Sequence, residues 1–455
     1  MDFTCPTEET IAAVATAVSA GKGGIAIIRI SGALAQKVGK KIIKIPGKQQ
    51  WESHQILYGY VIDQNNKEII DEVLVLLMQG PRSFTGEDVV EIHCHGGLIT
   101  VQRVLSQILL YPGVRRAYAG EFSQRAVING RLDLTQAEAI NDLISARNKK
   151  AAQLAISGIS GEITKQINML REKLLNLLSE IEARVDFEDE LPPLNEEQLL
   201  NNFVKVQNSL QKLIQDSKQG LFIRNGIKVA LIGLPNVGKS SLLNRLCKRD
   251  RAIVTDLPGT TRDVLEVEIQ LEEMLITLFD TAGIRESEDK VEKIGIIKSQ
   301  ETLQCADIVV LVFDLSMGWN QNDEELFKQI PTETPKLIVG NKADLQKNTT
   351  KMKPYITFSA VTGEGEDDLI ENLLSICGAC NTEGLNIALN ERQLDLAIMA
   401  EEALGRIQQM VHQKLPWDFW TIDVREAINK LGELSGEEIT ESLLDRIFSK
   451  FCIGK

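Results

Sequence analysis

The stretch Gly233-Leu234-Pro235-Asn236-Val237-Gly238-Lys239-Ser240 constrains this chain more than any other. It follows a strand-like run, Val229 to Ile232, and opens a helical run carrying Leu242, Leu243 and Leu246. The glycines let backbone N–H groups turn inward around phosphate oxygens, and the helix start adds positive potential there. Lys239 should neutralise the outer phosphates, and the Ser240 hydroxyl should hold Mg²⁺. From Ile227 to about Leu374 short apolar strands alternate with helical stretches, the pattern of parallel βαβ units.

Further pieces follow in order. Asp280-Thr281-Ala282-Gly283 ends the strand Leu275 to Phe279, so Asp280 would reach the magnesium through water and the Gly283 N–H can sense a γ-phosphate. Asn341-Lys342-Ala343-Asp344 follows the strand Leu337 to Val339. Asp344 can accept both N–H groups of a guanine edge, which adenine does not offer. Ser359-Ala360-Val361 comes after Ile356 and Phe358 and would close over the base. Each four-letter match is weak alone; the ordered set, each after an apolar strand, specifies a guanine nucleotide site. The expected contacts are Asn236, Val237, Gly238, Lys239, Ser240 and Ser241; then Asp280, Thr281, Ala282 and Gly283; then Asn341, Lys342, Asp344, Ser359, Ala360 and Val361.

Two features are less ordinary. Gly283 is followed by Ile284, whose apolar side chain cannot orient an attacking water, so hydrolysis is very slow or another group does that work. Arg285, Glu286, Glu288, Asp289 and Glu292 lie just beyond. The run Thr255-Asp256-Leu257-Pro258-Gly259-Thr260-Thr261 is also expected against the nucleotide, with Thr261 as second magnesium ligand. Its carbonyls, beside the Asn236 amide oxygen, could hold a monovalent cation between phosphates, where an arginine finger would otherwise act.

The remaining 455-residue chain frames this unit. Residues 1–118 mix β-branched runs (Ile25 to Ile30, Val73 to Leu77) with turns and read as a small α/β domain. Helical periodicity runs from about Thr135 to Ile181 and returns from Asn390 to Phe451, so two helical half-domains separated by an insert are expected. The acidic segment Asp186 to Glu197 is read as a solvated loop between helices. Net charge is −14, which excludes a globally basic nucleic-acid binder and leaves RNA contact to a local patch. The run Ile11 to Ala20 resembles a signal-peptide core, but Asp2, Glu8 and Glu9 precede it; with no apolar run near ~18 residues, a cytoplasmic protein without membrane segments is expected. Cys377-Gly378-Ala379-Cys380 has no second pair and is read as incidental. His93 and His95 alternate beside Glu91 and are read as structural or pocket-lining.

At these residues the chain resembles the tRNA modification GTPases of the MnmE (TrmE) family over its whole length. The resemblance rests on IAIIRISG from Ile25, SFTGEDVVEIHCHGG from Ser83, GEFSQRAVINGRLDLTQAEAI from Gly120, DTAGIRESEDKVEKIG from Asp280 and the final Cys452-Ile453-Gly454-Lys455. It implies an N-terminal tetrahydrofolate-binding and dimerisation α/β domain (1–118) and a central helical bundle from two chain segments (119–222 and 381–455). Between them lies an inserted Ras-like P-loop GTPase domain (223–380) with a doubly wound, mostly parallel sheet. It implies a homodimer whose GTPase domains are driven together by potassium, with Asn236, Thr255, Leu257 and Thr260 as its ligands and Glu292 positioning the attacking water. It further implies an FAD-dependent MnmG partner in a heterotetramer or larger complex, and a tRNA substrate. The product would carry an aminomethyl or carboxymethylaminomethyl group on carbon 5 of the wobble uridine, built with 5-formyl- or 5,10-methylenetetrahydrofolate.

The folate pocket implied by the resemblance is Arg29, Glu91, Arg131 and Lys455: a cation can meet a glutamate tail, and a carboxylate can pair with a pterin edge. Arg131 stands where the family commonly has Lys, and Ala119 where it commonly has Pro. Cys452 is either a nucleophilic thiolate or an ordinary tail thiol. The competing reading of the whole chain is a non-modifying, GTP-dependent RNA-binding switch in ribosome assembly.

Overall fold

The computed structural model describes residues 9–19, 21, 23–187, 192, 195–249, 265–271, 274–280, 306–345, 355–376, 384–413, 415–437 and 440–455. The chain forms two compact units. One comprises Met1–Asn141, Gly158–Leu178 and Val424–Lys455; the other comprises Asp142–Ser157 and Ser179–Asp423.

The first unit is built on a seven-stranded sheet in the order β3-β4-β5-β6-β2-β1-β7. The strands are β1 (Thr10–Val14), β2 (Ile25–Ser31), β3 (Ile43–Lys44), β4 (Ile56–Ile62), β5 (Ile69–Met78), β6 (Val89–His95) and β7 (Val114–Arg116). Period-2 alternation splits its residues between two faces. Ala26, Ile28 and Ile30 of β2, with Val90, Ile92 and Cys94 of β6, form a core with helices α1 (Ala35–Ile42) and α2 (Leu98–Leu109). Burying each large aliphatic chain there is worth about 1.5–3 kcal/mol. The opposite face carries Arg29 and Ser31 on β2 and Glu91 and His93 on β6, with Arg29 directly across from Glu91. Part of that face is covered by a small cluster of Ile11, Ala13, Ala117 and Phe122, joined by Phe84.

Helix α3 (Glu121–Ile128), which supplies Phe122, is clamped by a buried charge network. Glu121 accepts two hydrogen bonds from Arg115 (2.8 and 2.6 Å) and one from Arg125 (3.2 Å), and Arg125 also reaches Glu87. Burial pushes the Glu121 carboxyl up, but Arg115, the Tyr118 N–H and Arg125 outweigh it and hold the group below the ordinary carboxylate range. The last helix, α13 (Glu441–Phe448), packs Leu444, Ile447 and Phe448 with Phe451 against Leu134 and Ala137.

The sequence pattern predicts an almost unbroken helical run over 135–181. The structure divides it into α4 (Leu134–Ser145), α5 (Lys149–Ile159) and α6 (Glu162–Asp186). The breaks have local causes. The Asn148 side chain accepts from the Ala151 N–H and donates to the Ile223 carbonyl, and Gly161 adopts φ 81°. The acidic stretch is not wholly a loop: Glu196 and Glu197 form the first turn of α7 (Glu196–Asn225), capped by Asn195, where acids favour the helix dipole. Residues 188–191 lie outside the described residues, as do Cys377 to Cys380.

The second unit holds a six-stranded sheet, order β13-β12-β11-β8-β10-β9, parallel except for β9. Its strands are β8 (Ile227–Ile232), β9 (Leu265–Leu271), β10 (Met274–Asp280), β11 (Ile308–Asp314), β12 (Lys336–Asn341) and β13 (Ile356–Thr357). Both faces are covered, as a doubly wound sheet requires. Val229, Leu231, Val310 and Val312 pack on one side with α8 (Lys239–Arg249) and α10 (Glu366–Ile376). Ala230, Ile232, Val309 and Leu311 pack on the other with α9 (Gln321–Gln329).

Helical segments before and after this sheet meet. Glu401 of α11 (Glu391–His412) accepts from Gln207 and Gln211 of α7. The Ser217 hydroxyl donates to Leu213 O and accepts from the Leu389 N–H. Among the described residues the remaining helix is α12 (Trp420–Ser435). Among the described residues no helix is long and apolar enough to cross a membrane.

Candidate functional site

The parallel strands of the second unit all present their carboxyl ends at one edge of the sheet, where polar residues replace the apolar run. Asp280 closes β10 with its backbone in register with Leu231, and Asp314 closes β11 opposite Asn341, which closes β12. Ligands of open α/β sheets bind at this edge.

Here the turn Gly233–Gly238 joins β8 to α8. Gly238 has φ 96°, and a Cβ there would run into the Asn341 amide, so only glycine fits. Asn236 also adopts a left-handed φ of 64°. Lys239 is buried, and its ammonium donates to the carbonyls of Gly233 (2.7 Å) and Leu234 (2.9 Å), which holds the charge over the loop. Ser240 and Ser241 follow in the first turn of α8.

Asn341 ties this loop to the neighbouring one. It is buried; its Nδ2 donates to the Val237 carbonyl (2.9 Å) and its Oδ1 accepts from the Ala360 N–H (3.1 Å). Expected as a nucleotide contact just after the strand, it is the strand's last residue and also a strut between two loops. Asp344, in the short 3₁₀ turn Ala343–Leu345, accepts from the buried Ser359 hydroxyl at 2.5 Å, which aims the carboxylate. Val361 is exposed.

One residue escaped the sequence reading. Asp314 forms an ion pair with Lys342 at 2.5 Å and accepts from the Ser316 N–H and hydroxyl. Burial raises its pKa, but the Lys342 and Ser316 hydrogen bonds prevail and lower it. The available signal was positional: an acid terminating the wholly apolar strand Ile308–Phe313, as Asp280 terminates its own.

Thr255, Asp256, Leu257, Pro258, Gly259, Thr260, Thr261, Thr281, Ala282, Gly283 and Glu292 lie outside the described residues, as does the side chain of Asp280. Among the remaining donors, the Ser240 hydroxyl and Asn236 amide oxygen are hard oxygens, the type that suits Mg²⁺ and K⁺.

In the first unit, Arg29 Nε donates to Glu91 Oε1 at 2.8 Å, and its guanidinium lies over the rings of Phe84 and Phe122, 5.1 and 5.6 Å from their centroids. His93 Nε2 is 3.6 Å from Glu91 Oε2 and is buried without a hydrogen-bond partner among the described residues. A polar ligand suits such a face: a carboxylate beside a guanidinium held over aromatic rings, and a ring nitrogen without a hydrogen bond among the described residues. Arg131 is exposed and Lys455 half-buried; neither forms a hydrogen bond or ion pair with Arg29 or Glu91 among the described residues. The tail bearing Lys455 nevertheless runs close by. Ile453 bridges Ala119, and Gly454, at φ 94°, packs so tightly on Val14, the last residue of β1, and on Ala15 after it that a side chain would collide. Cys452 is exposed. His95 pairs with Asp71 at 2.7 Å, and that hydrogen bond raises its pKa.

A family model described as the MnmE helical domain matches residues 134–452, and one described as the GTP-binding protein TrmE N-terminus matches residues 10–131. Over 455 residues, all of both chains, this chain is 63% identical to a Prochlorococcus marinus protein named tRNA modification GTPase MnmE. A protein of the same name from another strain is 60% identical over 464 residues, again covering both chains fully. One from a Synechococcus strain is 58% identical over 450 residues, 99% of this chain and all of that one.

Proposed function

Because the chain belongs to the MnmE family of tRNA modification GTPases, we propose that it hydrolyses GTP to GDP and phosphate in order to modify carbon 5 of the wobble uridine in certain tRNAs. The observation that carries the nucleotide half is the Asn341 strut: one buried amide joins the phosphate loop at Val237 to the base loop at Ala360. A nucleotide that touches both loops then meets a single preorganised unit.

In this reading the backbone of residues 236–241 cradles the phosphates, Lys239 neutralises them and Asp344 reads guanine, aimed by Ser359. Ser240 and Thr261 would hold Mg²⁺, which supplies charge neutralisation between phosphate oxygens when bound. Asn236, Thr255, Leu257 and Thr260 would hold K⁺, and Glu292 would position the attacking water, the task Ile284 cannot perform. Arg29 and Glu91, with Arg131 and Lys455, would bind the tetrahydrofolate that supplies the one-carbon unit. The orphaned His93 nitrogen beside Glu91 supports a polar ligand there. The working form is a homodimer associated with an FAD-dependent MnmG protein. Whole-length similarity to tRNA modification GTPases favours this reading over a ribosome-assembly switch.

GTP turnover is the test. Rates in KCl should greatly exceed those in NaCl, and Glu292→Ala should bind GTP normally while losing most turnover. Equal rates in both salts would remove potassium from the mechanism, and no turnover at all would end the enzyme reading.

A further inference from the structure

Between Glu9 and Glu52 the sequence contains no Asp or Glu, yet it contains Lys22, Arg29, Lys37, Lys40, Lys41, Lys44 and Lys48, in a chain of net charge −14. Three of these make one surface. Lys37, Lys40 and Lys41 stand at i, i+3 and i+4 on the outer side of α1, and all three are exposed. Lys44, in the edge strand β3, and Lys48, in the loop that follows, are also exposed, but because Ile43 lies in the core beneath α1, strand alternation turns Lys44 to the opposite face of the sheet. None of the five side chains forms a hydrogen bond or ion pair among the described residues. Two acids stand in the nearby turn between β4 and β5: Asp63, which precedes Gln64, whose amide donates to the Lys41 carbonyl, and Glu68, whose carbonyl accepts from the Asp63 N–H; Asp63 is 3.7 Å from Arg103.

We infer that this lysine face of α1 is where the chain grips the phosphate backbone of its RNA. The inference rests on the tRNA substrate proposed above and names the surface that meets it. Lys37, Lys40 and Lys41 put three cations on one helix face, in a stretch (residues 10–51) that contains no acid, and none of the three is paired among the described residues. Affinity for nucleic acid comes largely from such phosphate contacts and the counterions they release. A lipid surface fits less well: an interfacial helix must offer its apolar side, and the apolar side of α1 (Ala35, Val38, Ile42) is fully committed to the core of its own unit.

The experiment compares the full chain with the triple variant Lys37→Gln, Lys40→Gln, Lys41→Gln and with a matched control, Lys205→Gln, Lys212→Gln, Lys218→Gln, which removes the same charge from exposed positions of α7. Binding of a fluorescently labelled tRNA transcript is followed across a salt series. The α1 variant should lose roughly tenfold or more in affinity at about 0.1 M salt, and its log–log salt slope should shrink by about 2–3. The control should bind like the parent, basal GTP turnover should be unchanged in both, and an unchanged melting temperature of the α1 variant reports that the first unit is intact. Parent-like tRNA binding by the α1 variant overturns this inference alone. No tRNA binding by the parent overturns both it and the proposed substrate. Unchanged tRNA binding with loss of binding to mixed phosphatidylcholine–phosphatidylglycerol vesicles, or with a shift in oligomeric mass, assigns the face to lipid or protein instead and overturns it as well.

Discussion

The two sheets of this molecule place their chemistry differently. In the six-stranded sheet the polar groups stand beyond the strands, at carboxyl ends and in the turns after them, so the core beneath stays apolar and the ligand is offered mostly backbone. In the seven-stranded sheet they stand in mid-strand on one face, Arg29 against Glu91 with His93 two residues on, so that face presents side chains rather than backbone. The first arrangement survives charge loss but depends on loop geometry. The second depends on each ionised group keeping its partner.

Breaking the strut should have the largest effect. Asn341→Ala leaves the Val237 carbonyl and Ala360 N–H without partners, so GTP affinity should fall by about a hundredfold, about 3 kcal/mol. Titration with a fluorescent GTP analogue would show it, and tetrahydrofolate binding should not move. A change of less than a few-fold would mean that the loops hold their shape independently of the amide.

The converse is Glu121→Gln, which takes the charge from under Arg115 and Arg125. A loss of about 2 kcal/mol, or roughly 5 °C of melting temperature, is expected in the first unit, with GTP binding intact. The sign with pH follows from the lowered Glu121 pKa. Its contribution is complete above the ordinary carboxylate range and is lost as pH falls below about 4 towards the folded value. The parent's melting temperature should therefore drop more steeply in acid than the variant's; parallel curves would exclude Glu121 as the source.

A smaller shift is expected from Glu91→Gln. Replacing a charged by a neutral hydrogen bond at Arg29 should weaken 5-formyltetrahydrofolate binding by roughly tenfold. Unaltered calorimetric affinity would place the folate elsewhere. The smallest effect is local: by NMR titration His95 should hold its proton to higher pH than an ordinary histidine, and Asp71→Asn should bring it back down.

The same contrast explains what the sequence disclosed. The phosphate loop was legible because backbone chemistry needs contiguous residues, Gly233 through Ser240, between a strand and a helix. The expected βαβ alternation became the six-stranded sheet for the same reason. Arg29 and Glu91 are 62 residues apart, and strand register alone makes them neighbours, which no local spacing reveals. Asn341 was recognised as part of the site, but its role as a strut depends on a contact with Val237, 104 residues away. Asp314 went unread because a lone acid after an apolar strand resembles any loop start. The divisions between α4, α5 and α6 turned on single residues, Asn148 and Gly161, that barely disturb periodicity.

The late segment that packs against α3 has a consequence for biosynthesis. Gln124 hydrogen-bonds Asp445, 321 residues further along. At about 5–20 residues per second a ribosome needs on the order of 15–60 s to emit that stretch. Meanwhile the six-stranded sheet, whose partners are close in sequence, has emerged entirely. The nascent chain thus has a fixed timetable: its nucleotide-binding part can mature early, while the part made first must wait, with the surface under α13 uncovered, for its last helix to arrive.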